Sequence, residues 1–294
     1  MGQKPKENRR RIAFVGLGVM GAAMAGHLAR AGHVVTGYDR DPDAGEELNR
    51  AASLGAAVVG AEIVITMLPD GEVVAGIAQQ LADTLSPGTL FIDTSSAEPW
   101  ITQSTAALLE SHGVRMVDAP VSGAEWGAEA AELVFMVGGA DADVAEAQPL
   151  FHVMGRSAHH VGPIGAGHVM KSVNNVITAA TVVTTAEAME VGRAWGLDPL
   201  AMVDVLDEST GGSWWSATRL RQDVLNGAFA DGFKLGLMQK DVRIACELAG
   251  RKQLQPEILA RTLALWSDAK SDLGPERAVT EMARYAAERI RRGE

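Results

Sequence analysis

A glycine-rich hexapeptide near the start of the chain is the feature that most restricts its fold. Gly16-Leu17-Gly18-Val19-Met20-Gly21 lies between a short apolar run and a longer stretch with helical periodicity. These two patterns predict a buried strand followed by a helix. A G-x-G-x-x-G turn in that position allows a tight turn, close approach of a pyrophosphate and close packing of the helix on the strand. The hexapeptide is therefore predicted to bind a dinucleotide at a helix N-terminus.

The rest of the chain shows two kinds of pattern. Short apolar runs predict strands, and stretches with helical periodicity separate most of them; the runs are 11–16, 33–38, 62–68, 89–93, 115–119 and, as the last strand, 133–137. This alternation predicts a Rossmann-like α/β fold with a doubly wound, mostly parallel sheet. From residue 167 onward only helical periodicity is found, beginning with one long proline-free stretch at 167–195. It predicts a long interdomain helix that leads into an all-α C-terminal domain.

These patterns predict three parts of the chain. Residues 1–10 are polar and basic and are expected to form a disordered tail. Residues 11–164 are expected to form the NAD(P)-binding Rossmann domain. Residues 165–294 are expected to form an all-helical domain for substrate binding and dimerisation.

Charge and composition limit the partners that are expected. The net charge of −11 and the lack of a Lys/Arg stripe argue against nucleic acid. Cys246 is the single cysteine, and the histidines show no metal-ligand spacing, so neither a disulfide nor a metal site is expected. No leader-like apolar segment and no run of 18 apolar residues occurs. A cytoplasmic protein that does not bind a membrane is therefore predicted.

Asp39 and Arg40 follow the second predicted strand and bear on the choice of cofactor. A carboxylate at the end of this strand accepts hydrogen bonds from ribose hydroxyls and repels a 2′-phosphate. The guanidinium of Arg40 can instead pair with a 2′-phosphate, or it can be a solvated loop charge. The pair favours NAD and leaves NADP open.

Five segments, in this order and spacing, resemble the β-hydroxyacid dehydrogenase family, which includes 3-hydroxyisobutyrate dehydrogenase and tartronate semialdehyde reductase. They are GLGVMGAAMA at 16–25, MLPD at 67–70, DAPVSGA at 118–124, GAGHVMKSVNN at 165–175 and KDVRIA at 240–245. The resemblance runs from about Arg11 to about Arg284. It implies hydride transfer between NAD(P) and a small β-hydroxyacid or its semialdehyde or keto form.

The DAPVSGA segment is predicted to bind the carboxylate of the substrate. Ser122 offers a hydroxyl, and Gly123 and Ala124 offer backbone N–H groups, which together can hold a carboxylate. The resemblance implies this role for the loop. The family has a second glycine where this chain has Ala124, whose methyl group narrows the pocket. A purely structural serine-glycine turn is the alternative.

The GAGHVMKSVNN segment contains the predicted acid/base. Lys171 and Asn175 are four residues apart, so they project from one face of the long helix. A partly desolvated lysine can exchange a proton with a substrate oxygen, although most helix lysines extend to solvent. The resemblance favours Lys171 as the catalytic acid/base, with Asn175 orienting the substrate oxygens and the lysine.

Further residues are predicted to contact the cofactor. Met67, Leu68 and Pro69, at the end of the third strand, would border the diphosphate. Ser95 and Ser96, after the fourth strand, would reach the nicotinamide ribose. Phe233 and Lys240 would contact the cofactor from the helical domain, and the resemblance implies this role for Lys240. A surface ion pair with Asp241 is the alternative for Lys240.

Three functions are compatible with this pattern. The first is a dehydrogenase or reductase for a short acid such as 3-hydroxyisobutyrate, tartronate semialdehyde, succinic semialdehyde or glyoxylate. The second is an imine reductase, against which Lys171 argues. The third is a dinucleotide-binding scaffold without turnover, against which Ser122, Lys171 and Asn175 argue together. Wide apolar helix faces predict a homodimer or a dimer of dimers.

Overall fold

The computed structural model describes residues 9–293. They form two compact units that divide between Lys171 and Ser172, later in the chain than the boundary predicted after Ile164. Most of the predicted tail at 1–10 lies outside the described residues. Arg10 is ordered, since its backbone N–H donates to Nδ1 of His33 at 3.2 Å.

The first unit alternates strands and helices. Its elements are β1 (Arg11–Val15), α1 (Val19–Arg30), β2 (Val34–Tyr38), α2 (Leu54–Ala57), β3 (Ile63–Thr66), α3 (Gly71–Leu81), β4 (Leu90–Asp93), α4 (Pro99–Ser111), β5 (Arg115–Asp118), β6 (Val121–Ser122), α5 (Ala124–Glu129), β7 (Leu133–Gly138), α6 (Asp141–Met154) and β8 (Gly155–Gly162). Helix α7 (Ala166–Ala194) begins in this unit and continues into the second.

The strands of the first unit form one mixed sheet in the order β2-β1-β3-β4-β5-β7-β6, with β8 paired to β7. The strands from β2 to β5 are parallel, and β7 runs antiparallel to β5 and β6. Buried strands such as β3 and β4 are apolar except for their last residues, Thr66 and Asp93, because helices cover both faces of the sheet. The predicted Rossmann-like class is confirmed. The strand order reverses between β1 and β3, where doubly wound folds bind ligands at the carboxyl ends of the strands.

The prediction that 133–137 is the last strand was wrong. Strand β8 follows α6 and pairs in parallel with β7, and it includes His159 and His160. Its only strand partner among the described residues is β7, and most of its side chains are at least partly exposed. The strand therefore lacks the continuous apolar run by which the others were recognised.

The second unit is helical, as predicted. After α7 it contains α8 (Pro199–Asp207), a π-helical segment π1 (Ser216–Leu225), α9 (Leu235–Arg251), α10 (Glu257–Leu273) and α11 (Glu281–Arg292). Its core packs around Trp266, which is fully buried and donates from Nε1 to the carbonyl of Ala179 at 3.2 Å. Within residues 9–293, no helix combines the length and apolarity needed to cross a membrane.

Candidate dinucleotide and substrate sites

The glycine turn between β1 and α1 has the geometry of an anion site. Gly16 has φ of +96°, and a Cβ there would lie 2.2 Å from the carbonyl oxygen of Met67. A Cβ on Gly21 would lie 1.9 Å from the carbonyl oxygen of Gly16, so the helix start is packed directly on the turn. At Gly18, by contrast, a Cβ would meet nothing within 4 Å. Gly18 is the N-cap of α1, and no side chain caps it, so the helix N-terminus faces open space that fits a pyrophosphate.

Asp39 lies beside this turn. Its Oδ2 accepts a hydrogen bond from the backbone N–H of Leu17 at 2.7 Å, and its Oδ1 accepts one from Asp41 at 2.9 Å. Each carboxylate oxygen keeps a second lone pair, so Asp39 can still accept from a ribose. The side chain of Arg40 is exposed. The structure therefore fixes the Asp39 carboxylate against the glycine turn and leaves Arg40 at the surface.

The loop after β2 is braced by a residue that the sequence analysis did not single out. The guanidinium of Arg50 donates to the carbonyl of Asp41 at 2.8 Å and to that of Ala44 at 2.5 Å. These bonds close the loop that follows Asp39. No local motif around Arg50 identifies it, because its partners are backbone carbonyls that any sequence could supply.

A hydrogen bond to Ser95 joins the segments that follow β3 and β4. This serine is 1% exposed, and its Oγ accepts from the backbone N–H of Leu68 at 2.9 Å. Ser96 is half-buried, as are Met67 and Leu68, whereas Pro69 is exposed. Ser95 therefore braces the segment after β3, and Ser96 is the more accessible of the two serines.

The predicted substrate loop spans β6 and the start of α5. Ser122 is half-buried at the end of β6, and Gly123 is the N-cap of α5 with φ of +141°. Ala124 has φ of +52°, in the left-handed region. A non-glycine residue there costs roughly 1–2 kcal/mol, which the glycine expected from the family at this position would avoid. The backbone of this loop is therefore kept in a glycine-like conformation despite the substitution.

A buried carboxylate anchors the start of α7. Asp118, the last residue of β5, is fully buried and accepts from the backbone N–H of Gly165 at 2.7 Å and of His168 at 2.9 Å. Burial raises the pKa of the Asp118 carboxyl, while the nearby His168 ring and the two backbone N–H groups act in the opposite direction. Asp118 thus connects the DAPVSGA loop to the helix that contains Lys171. Sequence analysis had assigned it no role.

Lys171 ends the first unit and is 9% exposed. The solvent-extended alternative for this lysine is therefore wrong. Asn175, one turn later on α7, lies in the second unit and is 4% exposed. The helical spacing predicted for the pair is present, since both residues lie within one continuous helix.

Asp241 orients Asn175 within the second unit. It is 2% exposed and accepts from Nδ2 of Asn175 at 2.6 Å, and its Oδ1 lies 3.4 Å from Nζ of Lys240. Nδ2 of Asn174 donates to Oδ1 of Asn175 at 3.0 Å. The ion pair that was the alternative for Lys240 and Asp241 is present, but both side chains are largely buried, so it is not a surface pair. Phe233 is half-buried and packs against the core of the same unit.

No cluster of three or more His, Cys, Asp or Glu side chains among residues 9–293 is placed to hold a metal ion.

The fold and the glycine turn define a dinucleotide-binding α/β protein. A family model for the NAD-binding domain of 6-phosphogluconate dehydrogenase matches residues 11–162, and one for the NAD-binding region of NADP-dependent 3-hydroxyisobutyrate dehydrogenase matches residues 165–286. The chain belongs to the β-hydroxyacid dehydrogenase family.

Individual relatives agree with this assignment. A probable 3-hydroxyisobutyrate dehydrogenase of Mycobacterium tuberculosis is 39% identical over 80% of this chain and 84% of its own length. An NAD-dependent L-serine dehydrogenase of Pseudomonas aeruginosa is 38% identical over 82% of this chain and 85% of its own. A solved structure of the Mycobacterium tuberculosis 3-hydroxyisobutyrate dehydrogenase with L-serine has a TM-score of 0.88 at 33% identity, covering 94% of this chain and 99% of that one.

These comparisons confirm the predicted family, the NAD(P) cofactor class and the predicted function. The function is hydride transfer between a nicotinamide dinucleotide and a small β-hydroxyacid or its oxidised form.

Proposed function

We propose that this chain is an NAD-dependent dehydrogenase that oxidises the CH–OH group of a 2-substituted 3-hydroxypropanoate, with Lys171 as the acid/base. The observation that carries the proposal is the buried lysine near the start of α7, in the same unit as the glycine turn and the Ser122 loop. The substrates named for the two relatives, 3-hydroxyisobutyrate and L-serine, share a carboxylate and a hydroxymethyl group and differ only in the substituent on C2. This shared unit is the proposed recognition element.

Each polar residue has a distinct role in the proposed reaction. The bound dinucleotide supplies the hydride acceptor in oxidation and the hydride donor in reduction. Nζ of Lys171 takes the proton from the substrate hydroxyl in oxidation and returns it in reduction. The hydroxyl of Ser122 and the N–H groups of Gly123 and Ala124 hold the carboxylate. Asn175, whose amide is already held by Asp241, orients the substrate oxygens.

The function is tested by measuring NADH absorbance with the purified chain and a panel of short acids. The panel contains 3-hydroxyisobutyrate, L-serine, 3-hydroxypropanoate and, in the reductive direction, tartronate semialdehyde, succinic semialdehyde and glyoxylate. We expect turnover of the 2-substituted 3-hydroxypropanoates. An amino alcohol that lacks the carboxylate serves as the matched control and should not react. Turnover of cyclic imines with no turnover of any hydroxyacid would instead support an imine reductase.

The noncatalytic alternative makes a different prediction in the same assay. A scaffold would bind NADH and turn over none of the panel. The buried Lys171 and the hydrogen-bonded Asn175–Asp241 pair argue against this alternative. Burying a lysine costs free energy, and a noncatalytic protein would gain nothing in return.

We also predict that Asp39 sets the preference for NAD. Replacing Asp39 with alanine should lower kcat/KM for NAD by roughly tenfold or more through loss of charge-assisted hydrogen bonds to the ribose, and that for NADP much less. The same change removes the acceptor for the Leu17 N–H, so the NAD/NADP ratio, rather than either value alone, is the readout. Asp39→Asn is the matched control because it retains an acceptor for Leu17 but not the charge; it should shift the ratio in the same direction.

The opposite result would identify Arg40 as the deciding residue. If the wild-type chain already prefers NADP, the assignment to Asp39 is contradicted. Arg40→Ala should then weaken NADP selectively, because the exposed guanidinium would be the partner of the 2′-phosphate.

The homodimer or dimer of dimers remains a proposal, as does the cytoplasmic location. The dimer is supported by large apolar side chains that lie exposed in the second unit, including Ile177, Trp195 and Leu197. Exposed groups of this kind are typical of a surface that a second subunit covers.

A further inference from the structure

A histidine that was given no part in the reaction lies at the centre of a buried polar cluster in the first unit. The side chain of His168, in the first turn of α7, is fully buried. Its Nε2 lies 3.0 Å from the carbonyl oxygen of Ser95, and its Nδ1 lies 2.8 Å from Oγ1 of Thr102. The ring therefore joins α7 both to the segment after β4 and to α4.

Two buried carboxylates flank this ring. Nε2 of His168 lies 3.7 Å from Oδ2 of Asp93, and Nδ1 lies 3.5 Å from Oδ2 of Asp118. Both carboxylates end neighbouring parallel strands, β4 and β5, and both are fully buried. Oδ1 of Asp93 accepts from Thr66 Oγ1 and from the backbone N–H of Ser95, whereas its Oδ2 has no hydrogen-bond partner.

The hydrogen bonds of the ring fix its orientation. The carbonyl oxygen of Ser95 can only accept, so Nε2 donates to it. Nδ1 shares a hydrogen bond with the hydroxyl of Thr102, which also lies 3.2 Å from the carbonyl of Glu98. Both ring nitrogens are therefore held by groups on other elements.

The position of His168 links this cluster to the acid/base residue. Lys171 is three residues later on α7, one turn along the same face. The backbone N–H of His168 is also held by Asp118, so the backbone and the ring of one residue are fixed by the same group of strands. A Cβ on Gly167 would lie 2.3 Å from the carbonyl of Met136, which shows how closely the helix start is seated on the sheet.

We propose that His168 is a positioning residue whose buried ring, hydrogen-bonded to the Ser95 carbonyl and to Thr102, fixes the first turn of α7 and thereby the amine of Lys171. The effect of His168 on turnover rests on the proposed function, whereas the hydrogen bonds of the ring do not. His168 touches neither substrate nor cofactor in this role. It acts by holding the backbone from which Lys171 projects and the Ser95 segment at the end of β4.

The first test measures the hydrogen bond of the ring by NMR of protein labelled with ¹⁵N-histidine. We expect an Nε2–H signal from His168 that exchanges slowly with solvent, assigned by its loss in His168→Gln. A His168 ring N–H that exchanges as fast as that of the exposed His152 would overturn the proposal. This measurement requires no turnover, so it stands even if the panel of acids is not oxidised.

The second test separates positioning from simple stability. His168→Gln keeps a side-chain donor for the Ser95 carbonyl but loses the ring that also bonds Thr102, and we expect kcat to fall roughly 10- to 100-fold through misplacement of Lys171. The dissociation constant of NADH should rise by a much smaller factor, since the glycine turn is unaltered. His152→Gln is the matched control, an exposed histidine on α6 of the same unit, and should leave both values unchanged.

A wild-type kcat in folded His168→Gln would overturn the positioning role, even if the melting temperature falls. If that variant does not fold, Thr102→Val, which removes the hydroxyl bonded to Nδ1, supplies the same comparison of kcat against NADH affinity. A wild-type kcat in Thr102→Val would then count against the proposal.

Discussion

Replacing Lys171 by alanine is expected to lower kcat by about 10²- to 10⁴-fold, the contribution of a positioned general acid or base. The lysine is buried and lies in a helix whose start is anchored by Asp118, so few alternative groups can take its place. The dissociation constant of NADH should remain near wild type, because the glycine turn is on a different element. Steady-state kinetics and a fluorescence titration with NADH measure the two effects separately.

Two further variants show what the lysine supplies. Lys171→Arg keeps the positive charge but cannot release a proton near neutral pH, so it should be almost as inactive as the alanine variant. Lys252→Ala, at an exposed position after α9, is the control and should be indistinguishable from wild type. Retained turnover in Lys171→Ala would defeat the assignment of the acid/base. Full activity in Lys171→Arg would reduce its role to that of a fixed charge.

Substitutions at two glycines of the same turn are expected to have different effects, one on the stability of the protein and the other on NADH binding. Gly21→Ala should destabilise the first unit by about 3 kcal/mol, because its Cβ would lie 1.9 Å from the Gly16 carbonyl oxygen and neither backbone segment can move without cost. Gly18→Ala should change the unfolding free energy by no more than about 1 kcal/mol, the scale of an N-cap substitution. Its methyl group would occupy the open space in front of the helix and weaken NADH binding by roughly tenfold or more.

This pair of variants separates packing from ligand binding. Thermal unfolding with and without NADH measures the stability of each variant, and a binding titration measures its affinity for NADH. A stable Gly21→Ala protein would contradict the close packing of α1 on the turn. Wild-type NADH affinity in Gly18→Ala would contradict the position proposed for the pyrophosphate.

The elements that sequence analysis predicted well are those with one dominant local signal. Strands β1 and β3 are apolar at every position except Arg11 and Thr66, and α7 has an uninterrupted helical pattern, so burial and periodicity identify them. Strand β6 is only two residues long, and β8 lies half-exposed beside β7. Neither has enough apolar residues in a row to be distinguished from a loop.

The residues of the candidate site likewise divide into those that the local sequence predicted and those that it did not. Gly18, Ser122, Lys171 and Asn175 were predicted as site residues because each lies in a short motif. Residues that bond to their surroundings were missed: Asp118, His168 and Asp241 have partners far away in the chain, such as Gly165 for Asp118. Nothing in the neighbouring sequence indicates which distant group a buried carboxylate contacts.

The amino-acid sequence alone determined the class of fold and the position of the glycine turn, and it predicted Lys171 as the acid/base. It could do so because these depend on backbone conformation and on residues close together in the chain. Only the tertiary structure decided that Asp118 anchors α7, that His168 lies between two buried carboxylates and that Ala124 takes a left-handed conformation. Such features arise when strand ends and a helix start are brought together by packing, and local propensity does not encode the distances between them.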